Sequence, residues 1–192
     1  MKIITLNTAL SNPLNMAFSC LPDSAIVRNN DNFYVPNFSS HIQAQVGFYC
    51  ALHKIGKHIE PQFVVRYIKE IGVAVNFIAV DTLNNLYTNS LPTDIARSFD
   101  HSFAVSNNAV RFSHTIPQLH IQFDYNNQTM FNSDITKQFN DVYQAIAKAS
   151  EYFTYKIGDM FFVPLLPSFD VHINDTFNAY IDEKHFLNCG VR

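Results

Sequence analysis

The sequence predicts an α+β fold in which β-structure dominates. Three observations carry that expectation. Short strand-like segments, about nine of them, outnumber two substantial helical patterns. Gly72–Val80 is a near-continuous apolar run broken only by Asn76, the pattern of a central strand that presents one polar side chain. Asn126-Asn127 lies between Leu119–Tyr125 and Gln128–Phe131, and asparagine tolerates the positive φ that a two-residue hairpin turn requires.

In chain order, Lys2–Leu6 reads as a first strand followed by a polar turn. Pro22-Asp23 opens a turn into Ser24–Arg28, and Asn29-Asn30-Asp31-Asn32 is a turn cluster. Phe33–Val35 is a short strand ended by Pro36. Gln43–His53, rich in Val, Phe, Tyr and Leu, is a buried strand. After the turn at Ile55-Gly56-Lys57, Pro61 sits where a first helical turn tolerates a missing N–H. Phe63, Val64, Tyr67 and Ile68 continue that helical spacing as far as Glu70. Ser90–Arg97 is a loop and short turn around Pro92, and His101–Ser106 is a strand. Asp134 N-caps the strongest helix. Ile135, Phe139, Val142, Tyr143, Ile146, Ala149 and Phe153 fall on one face of it. Gly158-Asp159 turns into Met160–Val163, and strands at Phe177–Ile181 and Phe186–Val191 close the chain.

The 192 residues suit one domain, 1–192, with enough chain for a sizeable core. Charged residues make up 15%, below the quarter or so usual for a globular chain, so part of the surface is expected to be covered by a partner. The formal charge is −3 with no basic run. That argues against nucleic acid and against a polybasic membrane contact. No stretch reaches the roughly 18 apolar residues of a membrane span. The N-terminus has one Lys and an apolar run broken by Asn and Pro, a poor match to a signal peptide.

Cys20, Cys50 and Cys189 are odd in number, widely spaced and form no CxxC. Neither a disulfide framework nor a zinc site is expected, and a reducing, cytoplasmic setting is. The histidines form no HExxH, and Pro117 separates His114 from His120. Asp94, Asp100 and Asp134 are explained more simply as caps than as acid–base partners. There is no Gly-x-Ser-x-Gly and no phosphate loop among only five glycines.

Several segments, in order and at nearly matching spacing, resemble the fumarylacetoacetate hydrolase family, in particular its short single-domain bacterial members. PDSAIVRN is similar to the family's early Lys-Pro-x-Ser-Ala segment, and VGFYCALHKIGKHI to its metal-ligand strand. YIKEIGVAVNFIAVD resembles the strand Tyr-Ile-x-Gly-Tyr-x-x-x-x-Asp-x-Thr-Ala-Arg-Asp. SLPTDIARSFDHSFAVS resembles Gly-Leu-Pro-Trp-x-x-Ala-Lys-x-Phe-Asp-x-Ser-x-Pro-x-Ser. TYKIGDMFFVPLLP and NDTFNAYID resemble the family's closing strands. The resemblance implies a mixed β-sheet roll around a central pocket, and a homodimer. It also implies hydrolysis, decarboxylation or isomerisation of small oxo-acids on a magnesium or manganese ion, which binds anionic oxygen ligands and stabilises an enolate.

Two glutamates two residues apart on one strand, and an aspartate on its neighbour, hold that metal in the family. The matching positions here read Gln45, Gly47 and Asn76, and His41–Phe48 contains no acid. The family's Lys is Arg97, which keeps the charge but changes its shape from a point to a planar fork. Thr-Gly-Thr-Pro, which lines the pocket in the family, becomes Val163-Pro164-Leu165-Leu166. The His–Glu pair of the N-terminal lid segment, residues 1–21 here, becomes Pro13 and Met16. What is retained is scaffold, including Pro22, Ala25, Asp81, Leu91-Pro92, Phe99-Asp100, Gly158-Asp159 and Asp175.

The expectation is therefore a catalytically degenerate protein of this fold whose divalent metal is lost. It would act as a partner of an active relative or as a binder of a small carboxylic acid. The alternative is a metal-free hydrolase, isomerase or decarboxylase of small oxo-acids. There Arg97 would hold a carboxylate while Gln45 and Asn76 donate to an oxyanion. Gln45 and Asn76 read equally well as structural amides, and Arg97 as half of an ion pair.

Overall fold

The two long apolar runs of the sequence pair with each other, and the rest of the chain is arranged around them. The structure is a computed structural model that describes residues 1–8, 10, 16–28, 30–113 and 118–192. Its strands are β1 (Lys2–Leu6), β2 (Phe18–Pro22), β3 (Ile26–Val27), β4 (Ile42–Leu52), β5 (Ile68–Ala79), β6 (Phe103–Val105) and β7 (Val110–Arg111). They continue with β8 (His120–Tyr125), β9 (Gln128–Asp134), β10 (Met160–Pro164), β11 (Phe169–Val171), β12 (Thr176–Ile181) and β13 (Lys184–Gly190). The helices are α1 (Pro61–Val64), α2 (Val80–Thr88) and α3 (Phe139–Tyr152).

β4 and β5 pair antiparallel from Ile42 opposite Ala79 to Leu52 opposite Ile68. They centre a sheet ordered β2-β1-β10-β4-β5-β6-β3, with β11 added to β4 and β7 to β5. β1–β10 and β3–β6 are parallel and the remaining pairs antiparallel, so the sheet is mixed. A second, antiparallel sheet runs β13-β12-β8-β9.

Side chains alternate across a strand, so β4 and β5 face two cores. Ala44, Val46, Phe48, Val73, Val75 and Phe77 enter the larger one, with Phe139, Val142 and Ile146 of α3 and Phe123 and Phe177 of the second sheet. The stacked rings of Phe33 and Phe77, 3.8 Å between centroids, lie within it. Each such ring taken from water contributes about 1.5–3 kcal/mol. The opposite face carries a smaller core of Ile3, Leu21, Tyr49, Ala74, Phe103, Met160 and Phe162. Gln45, Gly47 and Asn76 share the parity of that second face.

The β-dominant outline agrees with the sequence, and four local features differ from it. Phe33–Val35 forms no strand; Phe33 makes only an isolated bridge to Val191. The helical spacing after Pro61 ends at Val64, because the chain from Ile68 is taken up by pairing with β4. Tertiary pairing overrides a weak local preference here. Val80, expected to close the central strand, instead begins α2 (Val80–Thr88), the rest of which carries no expectation above. Its first-turn Asp81 accepts hydrogen bonds from the Ser39 and Ser40 hydroxyls and from the backbone N–H of Ser40 and Thr82. Asp134 does not N-cap α3: it ends β9, and its carboxylate accepts from the Thr136 N–H at 2.7 Å. Ile135 and a 3₁₀ turn, Thr136–Gln138, intervene before α3 begins at Phe139.

Asn126 and Asn127 have φ of 50° and 62°, as the hairpin requires. Ala9, Pro13, Asn29, His114 and Pro117 lie outside the described residues. Among the described residues, no helix is long and apolar enough to cross a membrane.

Candidate functional site

Register places Gln45 directly opposite Asn76, and Gly47 opposite Ala74 on one side and Pro164 on the other. Asn76 is 2% exposed. Its Nδ2 donates to Gln45 Oε1 over a long 3.4 Å, and its Oδ1 has no partner among the described residues. A buried amide with one open end is uncommon. Gln45 is half-buried.

Gly47 has no free side-chain space. A Cβ there would lie 2.2 Å from the Val163 carbonyl oxygen and within 2.9 Å of the Phe162 ring. Phe162 in turn meets Phe103 edge-on, 5.1 Å between centroids at 90°. The volume beside Gly47 is thus occupied by the Phe162 ring, which its edge-on contact with Phe103 helps to hold in place.

Val163 points the other way, fully buried in the larger core, and offers the site only its carbonyl oxygen. Beyond it the chain leaves β10. The Leu165 N–H donates to Val46 O at 2.9 Å, which seats Leu165 and Leu166 at the mouth of a cleft of about 450 Å³. Gln45, Asn7, Thr8 and Leu10 line this cleft from the β-sheet side and Gln138 and Asp141 from the start of α3. The structure therefore brings Gln45 and Leu165 together, with Asn76 and Gly47 adjoining Gln45 on the strands. Asn76, Gly47, Arg97 and Val163 are not among the residues that line the cleft.

Arg97 follows a 3₁₀ turn at Asp94–Ala96 and is half-buried. Burial lowers its guanidinium from the usual value. No carboxylate lies within 4 Å of it among the described residues. Gln138 and Asp141 were not singled out from the sequence. Their signal is the polar face of the amphipathic α3 at its N-terminal end. The plug of Phe103 and Phe162 had no sequence signal beyond a high phenylalanine content.

Chemically, Gln45 and Asn76 offer neutral amide oxygens and Gly47 offers nothing. A hard dication selects anionic oxygens, so this donor set does not fit one. Among the described residues, no three His, Cys, Asp or Glu side chains converge as metal ligands would.

No family model matches the sequence, and no curated protein matches it. Solved structures do. Fumarylpyruvate hydrolase from Pseudomonas aeruginosa, solved with Mn2+ and pyruvate, superposes with a TM-score of 0.85 at 16% identity, covering 100% of this chain and 89% of that one. A Yersinia pestis protein assigned to the fumarylacetoacetate hydrolase family gives 0.83 at 15% identity, over 100% and 92% of the two chains. The fold is that of the fumarylacetoacetate hydrolase family. 2-Hydroxyhepta-2,4-diene-1,7-dioate isomerase from Mycobacterium marinum shares the fold at 0.83 and 16% identity, over 99% of this chain and 73% of its own. Likeness at this level of identity carries the fold, and function has to be argued from the site.

Proposed function

We propose that this chain is a catalytically degenerate member of the fumarylacetoacetate hydrolase family that acts by binding, without the family's divalent metal. The observation that carries the proposal is at Gly47. The resemblance puts a metal-ligating glutamate at this position, and the space such a side chain would need is filled by the Phe162 ring and the Val163 carbonyl. The two flanking positions, Gln45 and Asn76, bring no negative charge. A site with three fewer carboxylates holds magnesium or manganese far more weakly.

The metal-free oxo-acid enzyme requires Gln45, Asn76 and Arg97 to meet in one open pocket. Asn76 is buried beneath the surface, and Arg97 does not line the cleft that holds Gln45. A homodimer and a cytoplasmic setting belong to the same proposal. Tyr87, Leu91 and Ile95, on and just after α2, remain exposed and are available to a partner.

The test is isothermal titration of the metal-stripped protein with manganese and then magnesium. The expected result is no binding into the millimolar range. Saturation at micromolar manganese would show that carboxylates elsewhere build a metal site, and the proposal would fail.

A further inference from the structure

The loop that joins β4 to β5 gathers positive charge that the sequence leaves dispersed. Lys54, Lys57 and Arg66 line one recess of about 490 Å³, with His58 between them and Phe63 and Tyr67 as its aromatic wall. The chain as a whole carries a formal charge of −3, so a recess with three cations against one carboxylate stands out. None of the three cations has a carboxylate within 4 Å among the described residues. The one acid in the lining, Glu60, accepts a hydrogen bond from the Gln62 amide at 2.7 Å. The Arg66 guanidinium lies 5.1 Å from the centroid of the Phe63 ring, a contact that restricts its stem without using its N–H groups.

This loop is held rather than loose. The His53 N–H donates to Tyr67 O, and Gly56 and Tyr155 exchange backbone hydrogen bonds at 3.2 and 2.8 Å. The His58 N–H donates to Ser150 O at 3.1 Å, and the Ile59 N–H to the buried Ser150 Oγ at 2.8 Å. Gly56 is packed so closely that a Cβ would lie 2.5 Å from the Tyr67 ring and 2.8 Å from Ile59. His58 sits at φ 50°, a conformation that costs a non-glycine residue energy and persists where the surroundings fix it.

We propose that this recess binds a phosphoryl oxyanion, with Lys57 and Lys54 as point charges and Arg66 as a two-pronged donor. The site lies apart from the cleft at Gln45 and stands whether or not a metal binds there. The same chemistry can be presented by a soluble phosphorylated compound or by a phosphorylated lipid headgroup.

The probe is inorganic pyrophosphate, titrated at low ionic strength into the isotope-labelled full chain and followed by amide chemical shifts. Saturable shifts confined to residues 53–67 are expected. Lys57→Gln and Arg66→Gln should each weaken binding by about tenfold, and added salt should weaken it further. Lys184→Gln, at an exposed position in the other sheet, should leave it unchanged. No saturable shifts, or equal losses from Lys184→Gln, would overturn the proposal. Once pyrophosphate binding is established, cosedimentation with phosphatidylcholine vesicles containing a phosphoinositide separates the two sources. Binding that pyrophosphate competes away assigns the headgroup, and no cosedimentation assigns a soluble phosphate.

Discussion

Adding one methyl group at Gly47 is the sharpest perturbation the structure offers. At an unobstructed strand position Gly→Ala stabilises by about 0.4–1 kcal/mol, because the unfolded chain loses freedom. Here the new Cβ would meet the Val163 carbonyl oxygen at 2.2 Å and the Phe162 ring at 2.8 and 2.9 Å. The ring can move, at the expense of its edge-on contact with Phe103, worth about 0.5–1.5 kcal/mol. The carbonyl cannot move without parting β4 from β10, and each ladder hydrogen bond lost costs about 1 kcal/mol. The net expectation is a loss of about 2–4 kcal/mol, near the upper end for overpacking. For a chain of 192 residues that is a fall in Tm of about 5–15 °C. The assay is thermal and urea denaturation followed by far-UV circular dichroism, since the chain has no Trp. Gly47→Ala combined with Phe162→Leu should lose less than the sum of the two single losses, because the ring clash is then absent while the carbonyl clash remains. A Gly47→Ala variant as stable as the parent would mean that the position is open, and the case against a side chain there would collapse.

Burial opposes the charged form of Asp81, but hydrogen bonds from Ser39, Ser40 and Thr82 outweigh it and hold the carboxyl below its usual range. Its stabilisation is therefore present above the unfolded value of about 3.9 and is lost as the pH falls below that. Asp81→Asn should cost about 1–2 kcal/mol at pH 7 and less at pH 3, as urea midpoints at the two pH values will report; an unchanged gap would refute this. Burial pushes the Cys50 thiol up to about 12 and the Cys189 thiol up to about 11, while Cys20 is exposed. A thiol-reactive dye should label one cysteine in the native protein and all three only in denaturant, and a second fast-reacting native thiol would contradict the packing. Asn76→Leu removes a buried oxygen that has no partner among the described residues and leaves Gln45 with access to the cleft, so stability should hold or rise. A loss above about 2 kcal/mol would show that the amide is structural.

What the sequence made legible was whatever depended on local pattern. The Asn126-Asn127 hairpin, the apolar strand through Asn76 and the helical face from Phe139 onward all follow from periods of two or 3.6 residues or from asparagine's tolerance of positive φ. The expected helix after Val64 was lost because pairing with β4 claims the chain from Ile68, and no local signal carries that competition. For the site, the resemblance put Gln45 beside Asn76, and the register agrees. It also put Val163 in the pocket, whereas the alternation along β10 sends that side chain to the larger core and sends Phe162 against Gly47 instead. A one-residue difference in facing decides which side chain fills a pocket, and it becomes visible only with the register known. The basic recess was hidden for a related reason. Lys54, Lys57 and Arg66 form no run in sequence, and the loop between β4 and β5 brings them together.

The amides and the aromatic plug constrain one another under the metal-free proposal. Asn76→Asp would place a carboxylate at a position 2% exposed with no cation among its described partners, and an unpaired buried charge costs several kcal/mol. Gln45→Glu would set a second negative charge directly opposite it in the ladder. Gly47→Glu would meet the same carbonyl and ring as alanine, with a longer side chain behind the Cβ. Asn76→Asp and Gly47→Glu are therefore each unfavourable alone, and Gln45→Glu becomes so once Asn76→Asp is present. Only acids at all three positions, together with withdrawal of Phe162 and a bound dication, would offset those costs. On the metal-free proposal, the packing at Gly47 and the burial of Asn76 oppose a return to metal binding, in addition to the missing ligands.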